Sequence, residues 1–235
     1  MVLCYPFGQE SLRAHRAFRQ LGLRLARVGL HVLRFDYFGC GDSGGESDEG
    51  DAVQWMADVA TAADELRKSQ RLEAVSLVGL RIGAILAALA ASRRSDIDSL
   101  VLWQPVLDGN AYLQEEWTAH ADWLARRTEA LGPTNLDGER PQIGGFPLTA
   151  AMRESIAALN LLGLHERPAR RVLLIERDPT AGARRLEGHL ATLGVEFHYR
   201  CIAEPGIWRR VGMDEPVVPR ETLDCIVAWL NEAGR

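Results

Sequence analysis

Residues 74–91 constrain the fold more than any other segment. They read Ala74-Val75-Ser76-Leu77-Val78, then Gly79-Leu80-Arg81-Ile82-Gly83, then small apolar residues from Ala84 to Ala91. A continuous apolar run such as Ala74 to Val78 fits a strand buried on both faces, as in a parallel sheet covered by helices. The paired glycines let the backbone turn sharply from strand to helix without side-chain clashes. The residue between them is then exposed at the top of the sheet, at a helix N-terminus whose free N–H groups favour an anion. Here that residue is Arg81.

The rest of the chain repeats the alternation. Strands are expected over Val2 to Tyr5, His31 to Phe35, Leu100 to Trp103, Val172 to Ile175 and Glu196 to Ile202, the last three buried. Apolar residues recurring at three and four predict helices from Ser11 to Val28 and from Ala52 to Ser69. In the first, Leu12, His15, Phe18, Leu21, Leu25 and Val28 mark one face, Ser11 reads as the N-cap, and Gly29 as the C-terminal stop. In the second the face is Val53, Met56, Val59, Ala63 and Leu66. Glu221 to Ala233 is a closing helix. Strand and helix alternating end to end argue for one α/β domain over 1–235, with a mostly parallel sheet, helices on both faces and right-handed crossovers.

One segment breaks the rhythm. Between Trp103 and Val172 stand two helical stretches, Ala111 to Leu131 and Ala150 to Leu161, joined by a Pro/Gly-rich link from Gly132 to Pro147. A connection this long is usually functional, and it reads as a helical cap insertion over about 106–168.

Composition narrows the function. An apolar fraction of 47% with 25% charged residues excludes disordered and fibrous classes. A net charge of −5 supplies no basic field for nucleic acid. No apolar run nears the ~20 residues of a membrane span, and the N-terminus lacks the basic-then-apolar pattern of a secretory signal. The four cysteines, Cys4, Cys40, Cys201 and Cys225, are scattered without a CxxC pair, as expected of free thiols in a reducing cytoplasm. There is no phosphate loop and no metal cluster. Gly39, Gly41 and Gly44 imitate a dinucleotide fingerprint, but an acidic stretch follows where a helix should open. No cofactor is expected.

Strand, Gly-Leu-Arg-Ile-Gly and helix have the frame of the nucleophile elbow, G-x-S-x-G. Arg34-Phe35-Asp36-Tyr37-Phe38-Gly39-Cys40-Gly41-Asp42-Ser43 is similar to a second motif, F-D-x-x-G-x-G-x-S, and Tyr5-Pro6-Phe7-Gly8-Gln9-Glu10 stands at the oxyanion-loop position. On these motifs the chain resembles the α/β-hydrolase superfamily, and within it the bacterial serine-aminopeptidase-like hydrolases. Leu100-Val101-Leu102-Trp103-Gln104-Pro105-Val106 and the G-L-R-x-G elbow resemble a subgroup found with bacterial exosortase and exopolysaccharide loci. Larger members place about two strands ahead of Val2; without them an uncovered edge strand would invite pairing, so a homodimer or a partner protein is conceivable.

The resemblance implies a triad, and the residues at its positions are unusual. Arg81 holds the nucleophile position, where a guanidinium cannot attack an acyl carbon. Asp178 matches the acid. The loop expected to carry histidine reads Ala203-Glu204-Pro205-Gly206-Ile207-Trp208, with Trp208 near the vacant place, and none of the six histidines falls there. The backbone N–H groups of Phe7 and Ile82 would remain as an oxyanion-type donor pair. Arg81 beside them suits a carboxylate or phosphate better than a neutral ester, as on a small acyl or carboxylate-bearing ligand, unless it pairs with an internal acid, Asp178 or Glu10, and fills the site. Cys40 is an alternative nucleophile without an imidazole to activate it. Trp103, Trp117, Trp123 and Trp208 either line an apolar cleft or pack the cap on the sheet, and Arg126-Arg127 and Arg170-Arg171 read as solvated charge. The expectation is a non-catalytic binding or accessory protein; the alternative is an unconventional esterase, thioesterase or acyltransferase.

Overall fold

The computed structural model describes residues 1–131, 142–208 and 218–232, and the side chains of these other than 128–131. In chain order the elements are β1 (Val2–Cys4), α1 (Gly8–Arg27), β2 (Leu33–Arg34), α2 (Ala52–Ser69), β3 (Val75–Leu80), α3 (Ile82–Ala91) and β4 (Ile97–Trp103). After β4 come α4 (Gly109–Leu131), the hairpin β5 (Gln142–Ile143) and β6 (Phe146–Pro147), α5 (Ala150–Ala157) and a 3₁₀ turn at Leu161–Gly163. The chain then returns to β7 (Arg171–Glu176), α6 (Ala181–Thr192), β8 (Glu196–Cys201) and α7 (Arg220–Glu232).

Six strands form one sheet in the order β2-β1-β3-β4-β7-β8, every neighbouring pair parallel. Every residue of β3 and β7 is buried, because helices cover both faces. On one side α2 and α3 pack together against β1 and β3, and α1 packs against α7. Crossover order and strand direction gather the C-terminal ends of β1, β3, β4, β7 and β8 at one edge, the usual ligand edge of an α/β sheet.

Several expectations are corrected. The strand expected over His31 to Phe35 pairs only through Leu33 and Arg34, because β1 offers just Val2 and Leu3 as partners. Helix α1 begins at Gly8, with Phe7 at the N-cap position, so Ser11 lies in the first turn and caps nothing. Its buried stripe is Ala14, Ala17, Phe18, Leu21 and Leu25, while Leu12, His15 and Val28 face outward. Phe18, Leu21 and Leu25 lie on the buried face as expected, but that face is rotated so that Ala14 and Ala17 join them. In α2 the same occurs: Val53 is exposed and Trp55 is fully buried, its indole N–H donating to the Phe38 carbonyl at 3.1 Å. Strand β8 is a half-exposed edge strand, not a buried one.

Arg171 is not solvated. It lies buried with its guanidinium 4.0 Å from the Trp229 ring, donating to Ser99 Oγ and to the Trp229 carbonyl, while Arg170 pairs outward with Asp98. Alternation along a strand sends neighbouring side chains to opposite faces. The helix expected to reach Leu161 ends at Ala157, and of the Pro/Gly-rich link residues 132–141 lie outside the described residues. Among the described residues no helix is long and apolar enough to cross a membrane.

Candidate functional site

The site grows from the turn after β3. Arg81 adopts φ 55° and ψ −122°, a conformation rare for a residue with a side chain. It is held there on both sides: its N–H donates to the Trp103 carbonyl at 3.1 Å, and its carbonyl accepts from Ala84 N at 3.0 Å. The flanking glycines are required by close approach. A Cβ on Gly83 would collide with the carbonyls of Cys4 and Tyr5, and one on Gly79 with the carbonyl of Gly83 and the backbone of Ala84. The strand–elbow–helix frame is therefore complete, with an arginine at its apex.

The Arg81 side chain turns inward and is 7% exposed. Its Nε donates to Oε1 of Glu10 at 2.8 Å, and its Nη2 to Oε2 of Glu115 at 2.9 Å. The guanidinium carbon lies 5.8 Å from the Tyr112 ring centre and 5.6 Å from that of Trp208, in cation–π range. Three parts of the chain converge on it. Glu10 comes from the first turn of α1, Tyr112 and Glu115 from the cap helix α4, and Trp208 from the loop after β8. Tyr112 also donates its hydroxyl to the second oxygen of Glu10 at 3.3 Å. Arg13 holds the Trp208 loop by donating to its carbonyl at 3.1 Å.

Burial and pairing set the charges. Burial pushes the Glu10 carboxyl up to about 7, against the pull of Arg81 beside it, and the carboxylates of Glu116 and Glu115 add to the rise. Burial works against the Arg81 cation, but Glu10 and Glu115 more than offset it and hold the guanidinium charged. Burial also keeps the Tyr112 hydroxyl protonated, so it acts as a donor to Glu10.

The other expected site residues are placed differently. Asp178 does not reach Arg81: its side chain is 77% exposed and pairs with Arg177. The buried carboxylate at the end of β7 belongs to Glu176, which accepts from Thr180 Oγ1 at 2.9 Å and from Tyr199 at 3.4 Å. The last residue of a fully buried strand was the signal for it. Cys40 is half-buried, and burial together with Asp36 and Asp58 pushes its thiol up to about 11. That is the reverse of what a nucleophile needs. Phe7 precedes α1 and packs its ring on Trp55 and on Phe146 of the cap hairpin, at 5.0 and 6.1 Å between ring centres. Ile82 is buried at the first position of α3.

Among the described residues no imidazole stands by the elbow. His120 accepts from Gly144 N inside the cap, His189 bonds the Leu164 carbonyl, and His198 pairs with Glu196 on the edge strand. His15 and His31 are exposed, and His165 follows the 3₁₀ turn on the surface. Of the tryptophans, Trp103 and Trp208 are buried, and Trp117 is about half exposed on the cap.

The cap closes over this end of the sheet. Gln9 Nε2 donates to the Gly144 carbonyl at 2.7 Å, and Ala52 N donates to Ser155 Oγ at 3.0 Å. Between cap and sheet lies a small cleft whose walls include Phe7, Tyr112, Leu113, Ile143, Leu148 and Ile156. Among the described residues no group of His, Cys, Asp and Glu is arranged to hold a metal ion.

Solved structures of the same architecture include two named as esterases. Over 98% of this chain the fold matches 86% of the esterase Est1E of Butyrivibrio proteoclasticus, solved with ferulic acid bound, at TM-score 0.63 and 14% identity. It matches 80% of a Pyrococcus furiosus esterase over 98% of this chain, at TM-score 0.63 and 16% identity. It also matches 89% of mouse α/β hydrolase domain-containing protein 10 over 99% of this chain, at TM-score 0.56 and 16% identity. At such identities the likeness establishes the fold alone. No curated protein matches the sequence. The model of the serine aminopeptidase S33 hydrolases, however, matches residues 13–142, more than half the chain and including the whole elbow, and this protein therefore belongs to that family of α/β hydrolases.

Proposed function

We propose that this chain is a non-hydrolytic member of its family, a binding or accessory protein that holds a small carboxylate-bearing or acyl ligand where its relatives hold a scissile bond. One observation carries the non-hydrolytic part of the reading: the apex of an intact elbow is a guanidinium engaged by two carboxylates, with no imidazole beside it among the described residues; the same pairing fills the apex with internal acids, so a ligand there has to displace one of them. A serine-type acyl transfer needs a nucleophile and a base that exchange a proton. A permanent cation beside a helix N-terminus instead suits an anion, and the guanidinium edge fits a carboxylate bidentately. The cleft under the cap is walled by apolar side chains but has room for about one water, so an acyl or aryl body would need the cap to open.

The alternative, an esterase, thioesterase or acyltransferase with a relocated nucleophile, has Cys40 as its candidate, and the raised thiol argues against it. The subgroup likeness would place the protein with bacterial exopolysaccharide loci. Pairing with a second copy through the sheet edge gains little from β2, which is two residues long.

The test is a panel of short acyl esters and thioesters with purified protein, beside Arg81→Ala, Cys40→Ala and Asp178→Asn. Background rates throughout are expected. Turnover that disappears with one substitution would sink the reading and name the replacement group.

A further inference from the structure

Positions 11–35 form the longest stretch of the chain without an acidic residue. They hold six of its 27 lysines and arginines and none of its 32 aspartates and glutamates, in a protein of net charge −5. The fold gathers much of this charge on one surface. Leu12, Arg16, Arg19, Leu23 and Arg27 recur along α1 at helical spacing, so they stand in one row, with the two leucines about 16 Å apart. The row lies opposite the buried stripe of Ala14, Phe18, Leu21 and Leu25. All five residues are exposed, Leu12 by 64% and Leu23 by 43%. Arg34, also exposed, joins the row from the edge strand β2, its stem laid beside Gly22 of α1.

Three of the six arginines have partners: Arg24 pairs with Asp224 of α7, Arg13 donates to the Trp208 carbonyl, and Arg34 to the Tyr5 hydroxyl. Among the described residues Arg16, Arg19 and Arg27 make no hydrogen bond or ion pair. Stability does not account for the row. Arg13, Arg16 and Arg19 follow one another at spacings of three, where like charges weaken a helix.

We propose that this face of α1 docks the protein on a membrane surface rich in anionic phospholipid. Guanidinium groups match lipid phosphates, and their stems let the heads reach upward while Leu12 and Leu23 dip into the headgroup boundary. A single helix stands as a convex ridge with its apolar tips apart. A protein partner needs a fitted patch of about 800 Å² on each side, whereas a fluid lipid surface conforms to a ridge. The net negative charge of the whole chain is no obstacle, because charges farther away than about 8 Å are largely screened at physiological salt. The helix lies on the surface and does not cross it. The proposal goes beyond the reading of the elbow and stands whether or not the elbow holds a ligand.

Co-sedimentation with vesicles tests it. The vesicles are phosphatidylcholine alone, or equal parts phosphatidylcholine and phosphatidylglycerol. The proteins are the wild type, Arg16→Gln with Arg19→Gln, Leu12→Gln with Leu23→Gln, and Arg184→Gln with Arg185→Gln, an exposed pair on α6. Urea unfolding checks that each variant is folded. The wild type is expected to bind the anionic vesicles only, and to be released when salt rises from about 0.1 M to about 1 M and the screening length falls to about 3 Å. The α1 arginine variant should bind about 25-fold more weakly, at about fivefold per arginine, and the α6 variant as the wild type does. The leucine variant should bind several-fold more weakly at unchanged charge.

Wild-type protein that binds anionic vesicles no better than neutral ones overturns the proposal. So does an equal loss in the α6 variant, which would show attraction without a docking face. Arginine-dependent binding that ignores the leucines, together with equal retention on immobilised poly-glutamate, would assign the face to an acidic protein and overturn the lipid surface.

Discussion

Nε of Arg81 lies 2.8 Å from Oε1 of Glu10, and this bond joins the turn after β3 to the start of α1 across 71 positions of sequence. Both side chains are almost wholly inside the protein. A buried pair of this kind is strong only while both members are present. Burial costs each ion several kcal/mol, and their mutual attraction roughly repays it.

Removing one partner should therefore hurt far more than removing both. Arg81→Met is expected to cost about 3–5 kcal/mol near pH 8, because Glu10 loses its cation and must take up a proton to stay buried. Arg81→Met with Glu10→Met should recover most of that loss. Urea unfolding of the two single variants, the double variant and the wild type measures the coupling directly. Additive losses would show that the pair contributes through its separate packing and not through its charge.

Glu10 also gives the stability a pH dependence with a definite sign. Its carboxyl keeps its proton up to about 7 in the folded chain, against the usual glutamate value near 4.5. The groups facing it are Arg81 and Tyr112, with Glu115 and Glu116 from the cap. Between those two pH values the folded state binds more protons than the unfolded one, so stability falls as pH rises through the interval and is level above it. Each unit of displacement corresponds to about 1.4 kcal/mol. Glu10→Gln should remove this slope. Unfolding free energies at pH 5 and pH 8 should thus differ by about 2–3 kcal/mol more in the wild type than in the variant.

The elbow was legible in the sequence because its requirements are local. Gly79 and Gly83 are dictated by backbone contacts within a short stretch, and the apolar strand before them is covered on both faces. Glu10 was legible as a possible partner for Arg81, because the oxyanion loop and the elbow meet at the ends of neighbouring strands. Glu115 and Tyr112 were not. They lie on a cap helix whose sequence mixes charge and aromatics all round, so its periodicity does not say which face meets the sheet. Asp178 stands where family order marks the acid, in the loop after β7, whereas the buried carboxylate is that of Glu176, two residues earlier. The rotated stripe of α1 shows the same limit, since Ala14 and Ala17 are buried where Leu12 and His15 were expected.

Restoring a hydroxyl at the elbow should not restore catalysis. Arg81→Ser places a serine at the geometry of a family nucleophile, yet its proton has no imidazole to accept it. Glu10 is the nearest base, and without Arg81 its carboxyl is expected to hold its proton more firmly still. Hydrolysis of p-nitrophenyl acetate and butyrate by Arg81→Ser should stay at the buffer rate. A rate clearly above it would show that Glu10 and Tyr112 serve as a proton relay, and would reopen the catalytic reading.

The elbow itself is tested by two glycines that carry opposite expectations. Gly83 has no room for a Cβ, which would meet the Cys4 and Tyr5 carbonyls at the end of β1. Those carbonyls cannot move freely, because β1 is paired with β2 on one side and β3 on the other. Gly83→Ala must therefore push α3 away from the strand ends and unseat Arg81 from Glu10. A loss above about 3 kcal/mol is expected, in the tail reserved for substitutions that force a backbone apart. Gly188, in the exposed interior of α6, meets nothing within 4 Å of an added Cβ. There alanine replaces a flexible residue in a helix, and Gly188→Ala should gain about 0.5–1 kcal/mol. Thermal and urea unfolding of the two variants, side by side, decide the matter: a Gly83→Ala protein as stable as the wild type would mean that α3 does not sit against β1, and that Arg81 does not occupy the apex of an elbow.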